Sequence, residues 1–178
     1  KLAKEMPGRF YDVGIEEEHA VTFSDALAAG GMKPFCNIYS SFSMRAFDQI
    51  FHDVALQNLP VVLCLDRGGL VGEDGATHHG CYDMSIYRSI PGTVIAVPKD
   101  ELELKNMMYS AMLAEGGPYI IRYPRGYGEG VDWENAVFSP VEAGKGEKLC
   151  DGEKVAVIAA GPFANRALEA AAQIKEEY

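Results

Sequence analysis

The chain has 178 residues, 48% hydrophobic and 24% charged, with 26 acidic against 16 basic side chains and a formal net charge of −10. That size and balance suit a soluble globular protein with one sizeable core, or one domain plus part of another. The acidic excess excludes the sequence-independent backbone binding by which basic proteins hold nucleic acids, while a few arginines could still hold a small anion.

In chain order, Gly14 to Ala29 reads as a helix ended by Gly30-Gly31. Pro34 to Tyr39 is a short apolar run, read as a buried strand. Met44, Phe47, Ile50, Phe51 and Val54 fall at helical spacing and predict a second helix to about Gln57. The continuous apolar run Val61 to Leu65 has the pattern of a strand buried on both faces. A glycine-rich segment, GGLVGEDGATHHG, spans Gly68 to Gly80. Val94 to Val97 predicts another strand, Asp100 opens a helix, and Tyr119 to Tyr123 supplies one more strand. Strands alternating with helices imply an α/β fold with a mostly parallel sheet and helices on both faces.

The stretch from Gly126 to Asp151 is rich in glycine and charge, and reads as a linker. Val155 to Gly161 and the alanine-rich stretch to Tyr178 read as a strand and helix that begin a second domain. The expected division is therefore residues 1–126, a linker over 127–151, and a truncated second unit over 152–178. The first residue is Lys1 and the last lies within helix-like sequence, so the chain reads as a piece of a longer protein.

Cys36, Cys64, Cys81 and Cys150 lie far apart with no Cys-x-x-Cys pair, which suggests a reducing, cytoplasmic setting. No apolar run approaches the roughly 18 residues of a membrane span, and no signal-peptide pattern opens the chain.

Four stretches could carry chemistry. In GIEEEHA, each helical residue advances about 100°, so the three glutamates face different ways. Glu18 shares a polar stripe with Thr22 and Asp25, whereas Glu17 shares one with Ala20, Val21, Ser24 and Ala28. Glu16 stands at the helix start, where a carboxylate suits the helix dipole. Helical phase leaves Glu17 evenly balanced between a solvated acid and a working one. The segment LDRGGLVGEDGATHHG places Asp66, Arg67, Glu73, Asp74, His78 and His79 beyond a strand's carboxyl end, where open α/β sheets bind ligands. A metal-dependent hydrolase on Asp74, His78 and Cys81 is a weaker reading, since the spacing matches no common zinc pattern. IYSSFSMRAFDQ carries Tyr39, Phe42 and Arg45, and IRYPRG carries Arg122 and Arg125, either an anion clamp or surface charge.

Taken together, GIEEEHAVTF, IYSSFSMRAFDQIFHDVALQNLPV, DRGGLVGEDGATHHG and IRYPRG resemble the 1-deoxy-D-xylulose-5-phosphate synthases, thiamine-diphosphate-dependent relatives of transketolase. The resemblance covers about Arg9 to Gly126, and more weakly the rest. It implies a pyrimidine-binding domain over 1–126 and the start of the C-terminal domain over 152–178. The implied reaction joins pyruvate to glyceraldehyde 3-phosphate with loss of carbon dioxide, in a cytoplasmic homodimer that binds neither nucleic acid nor membrane. The family's G-I-x-E motif places its catalytic glutamate at Glu17, which hydrogen-bonds the cofactor's aminopyrimidine and must be partly desolvated to do so. Phe42 and Arg45 would hold the pyrimidine. Tyr39, Arg67 and Arg125 resemble the residues around the acceptor's phosphate, and Asp74 and His78 those near its hydroxyls, with His78 also counted as catalytic. The Mg²⁺ and diphosphate motif belongs to an N-terminal domain outside these residues, so the chain alone is expected to be inactive. Glu16 and Glu18 depart from the small or amide residues usual beside the glutamate. A transketolase, a pyruvate dehydrogenase β-like subunit and a non-catalytic assembly module are the alternatives.

Overall fold

The computed structural model describes residues 1–177, with side chains described through Ile174. Its centre is a four-stranded, wholly parallel sheet of β1 (Phe35–Tyr39), β2 (Val62–Asp66), β3 (Val94–Ala96) and β4 (Tyr119–Arg122), in the spatial order β1-β2-β4-β3. Parallel neighbours need crossover connections, and helices supply them. In chain order the helices are α1 (Leu2–Glu5), α2 (Glu17–Ala29), α3 (Ser40–Ser43), α4 (Phe47–Gln49), α5 (Asp83–Tyr87), α6 (Glu101–Leu113) and α7 (Phe163–Glu177), of which α3 to α6 lie between strands.

Alternation along each strand divides the core in two. Ile38, Leu63, Leu65 and Ile120 pack with Val21, Ala28, Ile50, Val54 and Tyr87 on one face. Val62, Cys64, Ala96, Tyr119 and Ile121 pack with Met107 and Ala111 of α6 on the other. β2 lies in the middle of both layers, and Val62 to Leu65 are all buried. This accounts for its unbroken apolar run. Asp100 caps α6, its carboxylate accepting from the Glu103 amide at 2.8 Å.

Two expectations change. The single helix expected after Met44 is a succession of short pieces: α3, a tight 3₁₀ turn over Met44–Ala46, α4, and a π-helical stretch over Ile50–Ala55. Ala46, Phe47, Ile50 and Val54 still reach the core from the last three pieces, but the backbone is wound unevenly. The strand expected over Val155–Gly161 is absent. That stretch has no ladder partners, and Val155, Val157 and Ile158 are 78%, 71% and 99% exposed. A strand needs a neighbour to take its backbone hydrogen bonds, and none of the four strands supplies one here. The helix expected after it is present as α7; Tyr178 lies outside the described residues.

Residues 127–151 form no helix or strand, but they are not free of the domain. Lys105 on α6 donates to the carbonyls of Trp133 and Ala136, and its ammonium lies 4.5 Å from the centre of the Phe138 ring. Among the described residues no helix is long and apolar enough to cross a membrane.

Candidate functional site

The site forms where β1, β2 and β4 end. Glu17 opens α2 on the stripe that also buries Val21, Ser24 and Ala28, so its side chain turns toward the protein and the residue is 8% exposed. Glu16 and Glu18 are exposed on either side. The Glu17 Oε1 accepts from Arg45 Nη1 at 3.1 Å, and this carboxylate has no other hydrogen bond among the described residues. Arg45 sits in the 3₁₀ turn after α3, which aims it back across Phe42, with its guanidinium carbon 4.9 Å from the ring centre. Phe42 also stacks with Tyr39 at 6.0 Å and meets the His78 ring edge-on at 5.0 Å.

Tyr39 links this group to the acceptor-side candidates. The Arg67 guanidinium lies 3.9 Å above its ring. Arg67 also donates to Asp66 at 2.6 Å and to Asp74 at 2.9 Å. Arg125 reaches the same Asp74 oxygen at 3.3 Å. Burial alone would lower the Arg67 pKa, but the hydrogen bond it donates to Asp74 and the charges of Asp66, Tyr39 and Asp74 outweigh it and raise it. The backbone at Arg67 is left-handed, with φ of 62°, a conformation that costs a non-glycine residue about 1–2 kcal/mol. The glycine-rich segment folds as two 3₁₀ turns, Gly72–Asp74 and Ala76–His78.

Thus Glu17, Arg45, Phe42, His78, Tyr39, Arg67, Asp74 and Arg125 form one continuous chain of contacts, although Glu17 and Arg125 are far apart in sequence. His79 stands apart, its Nδ1 accepting from the Val71 amide at 3.2 Å. Arg122 does not join Arg125 as an anion clamp. Its guanidinium is tied inward to Asp83 at 2.7 Å, and Asp83 is 2% exposed.

That ion pair belongs to a buried polar network with no signature in the sequence. Ser40 donates to Asp83 at 2.7 Å, Ser43 to the Ser40 carbonyl at 2.7 Å, and Tyr87 to Ser43 at 2.7 Å. Burial pushes the Tyr87 phenol up to about 12, against the opposing hydrogen bond to Ser43 and with a further push from Asp83. No group of three His, Cys, Asp or Glu side chains is arranged to hold a metal among the described residues. A cavity of about 230 Å³ lies between Pro98, Tyr123 and Pro162, lined by none of the site side chains above.

Chemically, the pieces divide into two. A largely buried carboxylate with one oxygen still able to accept stands beside an aromatic face, which suits a planar heterocycle carrying a protonatable nitrogen. Beyond Tyr39, two arginines converge on a single carboxylate oxygen, which suits an anionic group.

The family described as transketolase, pyrimidine binding domain, matches residues 1–129. The 1-deoxy-D-xylulose-5-phosphate synthase of Bacteroides thetaiotaomicron is 56% identical over 99% of this chain and 27% of its own length. That of Syntrophus aciditrophicus is 55% identical with the same coverage, 99% and 27%. The chain therefore spans about a quarter of the length of these relatives. Among solved structures, a split-gene transketolase described as an inactive β4 tetramer superposes with a TM-score of 0.85 at 28% identity, over 99% of this chain and 56% of that one. Campylobacter jejuni transketolase, at 23% identity and a TM-score of 0.56 over 63% of this chain and 18% of its own, shares the fold. This chain belongs to the transketolase pyrimidine-binding domain family.

Proposed function

We propose that this chain is the pyrimidine-binding part of a 1-deoxy-D-xylulose-5-phosphate synthase, a thiamine-diphosphate-dependent transferase of isoprenoid precursor synthesis. The observation that carries the reading is the placement of Glu17: a buried carboxylate held by Arg45, next to Phe42, and continuous with the Arg67–Asp74–Arg125 cluster. Relatives 50% to 57% identical, all synthases, support the synthase over a transketolase or a pyruvate dehydrogenase subunit.

The side chains fit the pyrimidine end of thiamine diphosphate. Glu17 would hydrogen-bond the ring nitrogen and hold or release its proton, while Phe42 packs against the ring and Arg45 fixes the carboxylate from the other side. When bound, the cofactor supplies a carbon nucleophile for pyruvate decarboxylation and transfer. Tyr39, Arg67 and Arg125 would hold the phosphate of glyceraldehyde 3-phosphate. Asp74 keeps the two arginines pointed inward, and with His78 it faces the acceptor's hydroxyls.

Mg²⁺ and the cofactor's diphosphate would be held by a domain outside these residues, in a cytoplasmic homodimer. Residues 1–126 then form the pyrimidine-binding domain, 127–151 the connection and 152–178 the start of the next domain. The chain alone turns over no substrate. The test is to assay the complete synthase carrying this chain for condensation of pyruvate with glyceraldehyde 3-phosphate, with and without thiamine diphosphate. Glu17→Ala abolishes the dependent activity; near-normal turnover in that variant would sink the assignment.

A further inference from the structure

Three segments of the site meet at one buried carboxylate that touches none of the proposed ligand-binding residues. Asp83 Oδ2 accepts from Ser40 Oγ at 2.7 Å and from Arg122 Nε at 2.7 Å, while Oδ1 accepts from the Met84 amide at 2.8 Å. The Asp83 side chain is 1% exposed and that of Arg122 12%. Arg122 uses Nη2 to reach the Gly80 carbonyl at 3.1 Å. Gly80 in turn exchanges two hydrogen bonds with Gly69, at 2.8 and 2.9 Å, and the Gly68 amide donates to the Tyr123 carbonyl at 2.9 Å. The neck of the glycine-rich loop is thus stitched to the end of β4 and to the start of α3.

Packing at the neck is tight enough to demand glycine. A Cβ on Gly68 would lie 2.7 Å from Arg122 Cγ, and one on Gly80 would lie 2.6 Å from the Arg67 carbonyl and would also meet Ser40 Oγ. A side chain at Gly68 would displace Arg122, and one at Gly80 would displace Ser40 or the Arg67 backbone.

We propose that Asp83, with Arg122 and Ser40, is a positioning unit for the acceptor side of the site, an inference that rests on the synthase reading above. Ser40 adjoins Tyr39, Gly80 closes the loop that carries Asp74 and His78, and Arg122 precedes Arg125 on the same strand end. The carboxylate fixes all three relative to one another, so the arginine pair and Tyr39 are set for one acceptor geometry. A buried ion pair is a poor source of net stability compared with apolar packing, so its role here is to fix one arrangement. Glu17 and Arg45 lie on α2 and the 3₁₀ turn and share no hydrogen bond with the unit. The Glu17–Arg45 pair is therefore outside the unit, whereas Phe42 shares α3 with Ser40.

The experiment compares the complete synthase with its Ser40→Ala and Asp83→Asn variants. Expected is a rise of roughly tenfold in KM for glyceraldehyde 3-phosphate, the scale of one charge-assisted hydrogen bond, with KM for pyruvate and kcat within about twofold. Amide exchange on the same proteins gives a readout independent of turnover. Gly69 and Gly80 exchange faster in the variants, while Leu63 and Ile120 keep their protection. A parallel loss in kcat and in both KM values, or unaltered exchange at the loop neck, overturns the proposal. Ser40→Ala removes no charge and decides the matter if Asp83→Asn does not fold. Absence of synthase turnover in the unaltered protein would defeat the synthase reading, and the exchange measurement would still decide whether the unit holds the loop.

Discussion

Arg45 and Glu17, 28 residues apart, form an ion pair at 3.1 Å in which the glutamate side chain is 10% exposed and the arginine side chain 54%. The asymmetry gives the two partners different tasks. Glu17 is buried by the packing of α2, and Arg45, its one hydrogen-bond partner among the described residues, leans over from the solvent side. An exposed arginine contributes little to folding, on the order of 1 kcal/mol or less, because water screens it. Arg45→Met should therefore leave the melting temperature almost unchanged and weaken thiamine diphosphate binding to the complete synthase roughly tenfold. Calorimetric titration with the cofactor measures the second effect and a thermal scan the first.

Asp74 is the shared acceptor of Arg67 and Arg125. Asp74→Asn removes the charge that holds both guanidinium groups inward while preserving the shape of the side chain. The expected result is a rise in KM for glyceraldehyde 3-phosphate of roughly ten- to a hundredfold, against a small change for pyruvate. Steady-state kinetics with each substrate varied in turn checks it.

Leu63 and Ile120 sit on neighbouring strands in the same core layer, 0% and 1% exposed. Truncating either to alanine should cost about 2–5 kcal/mol, because the sheet between two helical layers has little room to collapse. Denaturant titration of the variants would show lowered midpoints with unchanged slopes.

Cys36 and Cys64 are buried, whereas Cys81 and Cys150 are exposed. Burial, reinforced by the neighbouring Cys36 thiol, pushes the Cys64 pKa up to about 12. A maleimide or disulfide reagent at neutral pH should label two thiols rapidly, and all four only after unfolding. Both the Cys64 thiol and the Tyr87 phenol are held protonated by the fold. Their contribution to stability is complete below the unfolded values near pH 9 and 10. It is lost as pH rises toward about 12. Stability measured across that window should fall, and Cys64→Ala should make the fall shallower.

The sequence makes the sheet legible because its strands are buried on both faces. Val61 to Leu65 could hardly be anything else, and the helices between such runs follow from their own period. The uneven winding after Ser40 is invisible to periodicity, since α, 3₁₀ and π turns all return apolar residues to the same side within a few positions. Val155 to Ala160 shows the opposite error: an apolar run satisfies the strand pattern, yet pairing depends on an edge elsewhere in space. Within the site, the phase of α2 already puts Glu17 on the stripe that turns inward, and the aromatic and arginine clusters stand at strand ends. Burial of Glu17 rules out the solvated reading, and its working role belongs to the proposed function. The Asp83–Arg122–Ser40 contact is different in kind. Its members come from three distant segments and nothing local distinguishes a buried aspartate from an exposed one.

The strand order β1-β2-β4-β3 has one more consequence. The three strands that border the site each end where its polar cluster begins: Tyr39, Asp66 and Arg122 are each the last in their strand, and Asp66 and Arg122 lead into the segments that carry Asp74, His78 and Arg125. The framework and the recognition surface are thus separable by cutting at three points. Loops 66–80 and 122–126, transplanted together with Ser40 and Asp83, should carry acceptor preference into another sheet of the same topology, whereas either loop moved alone should arrive without its anchor.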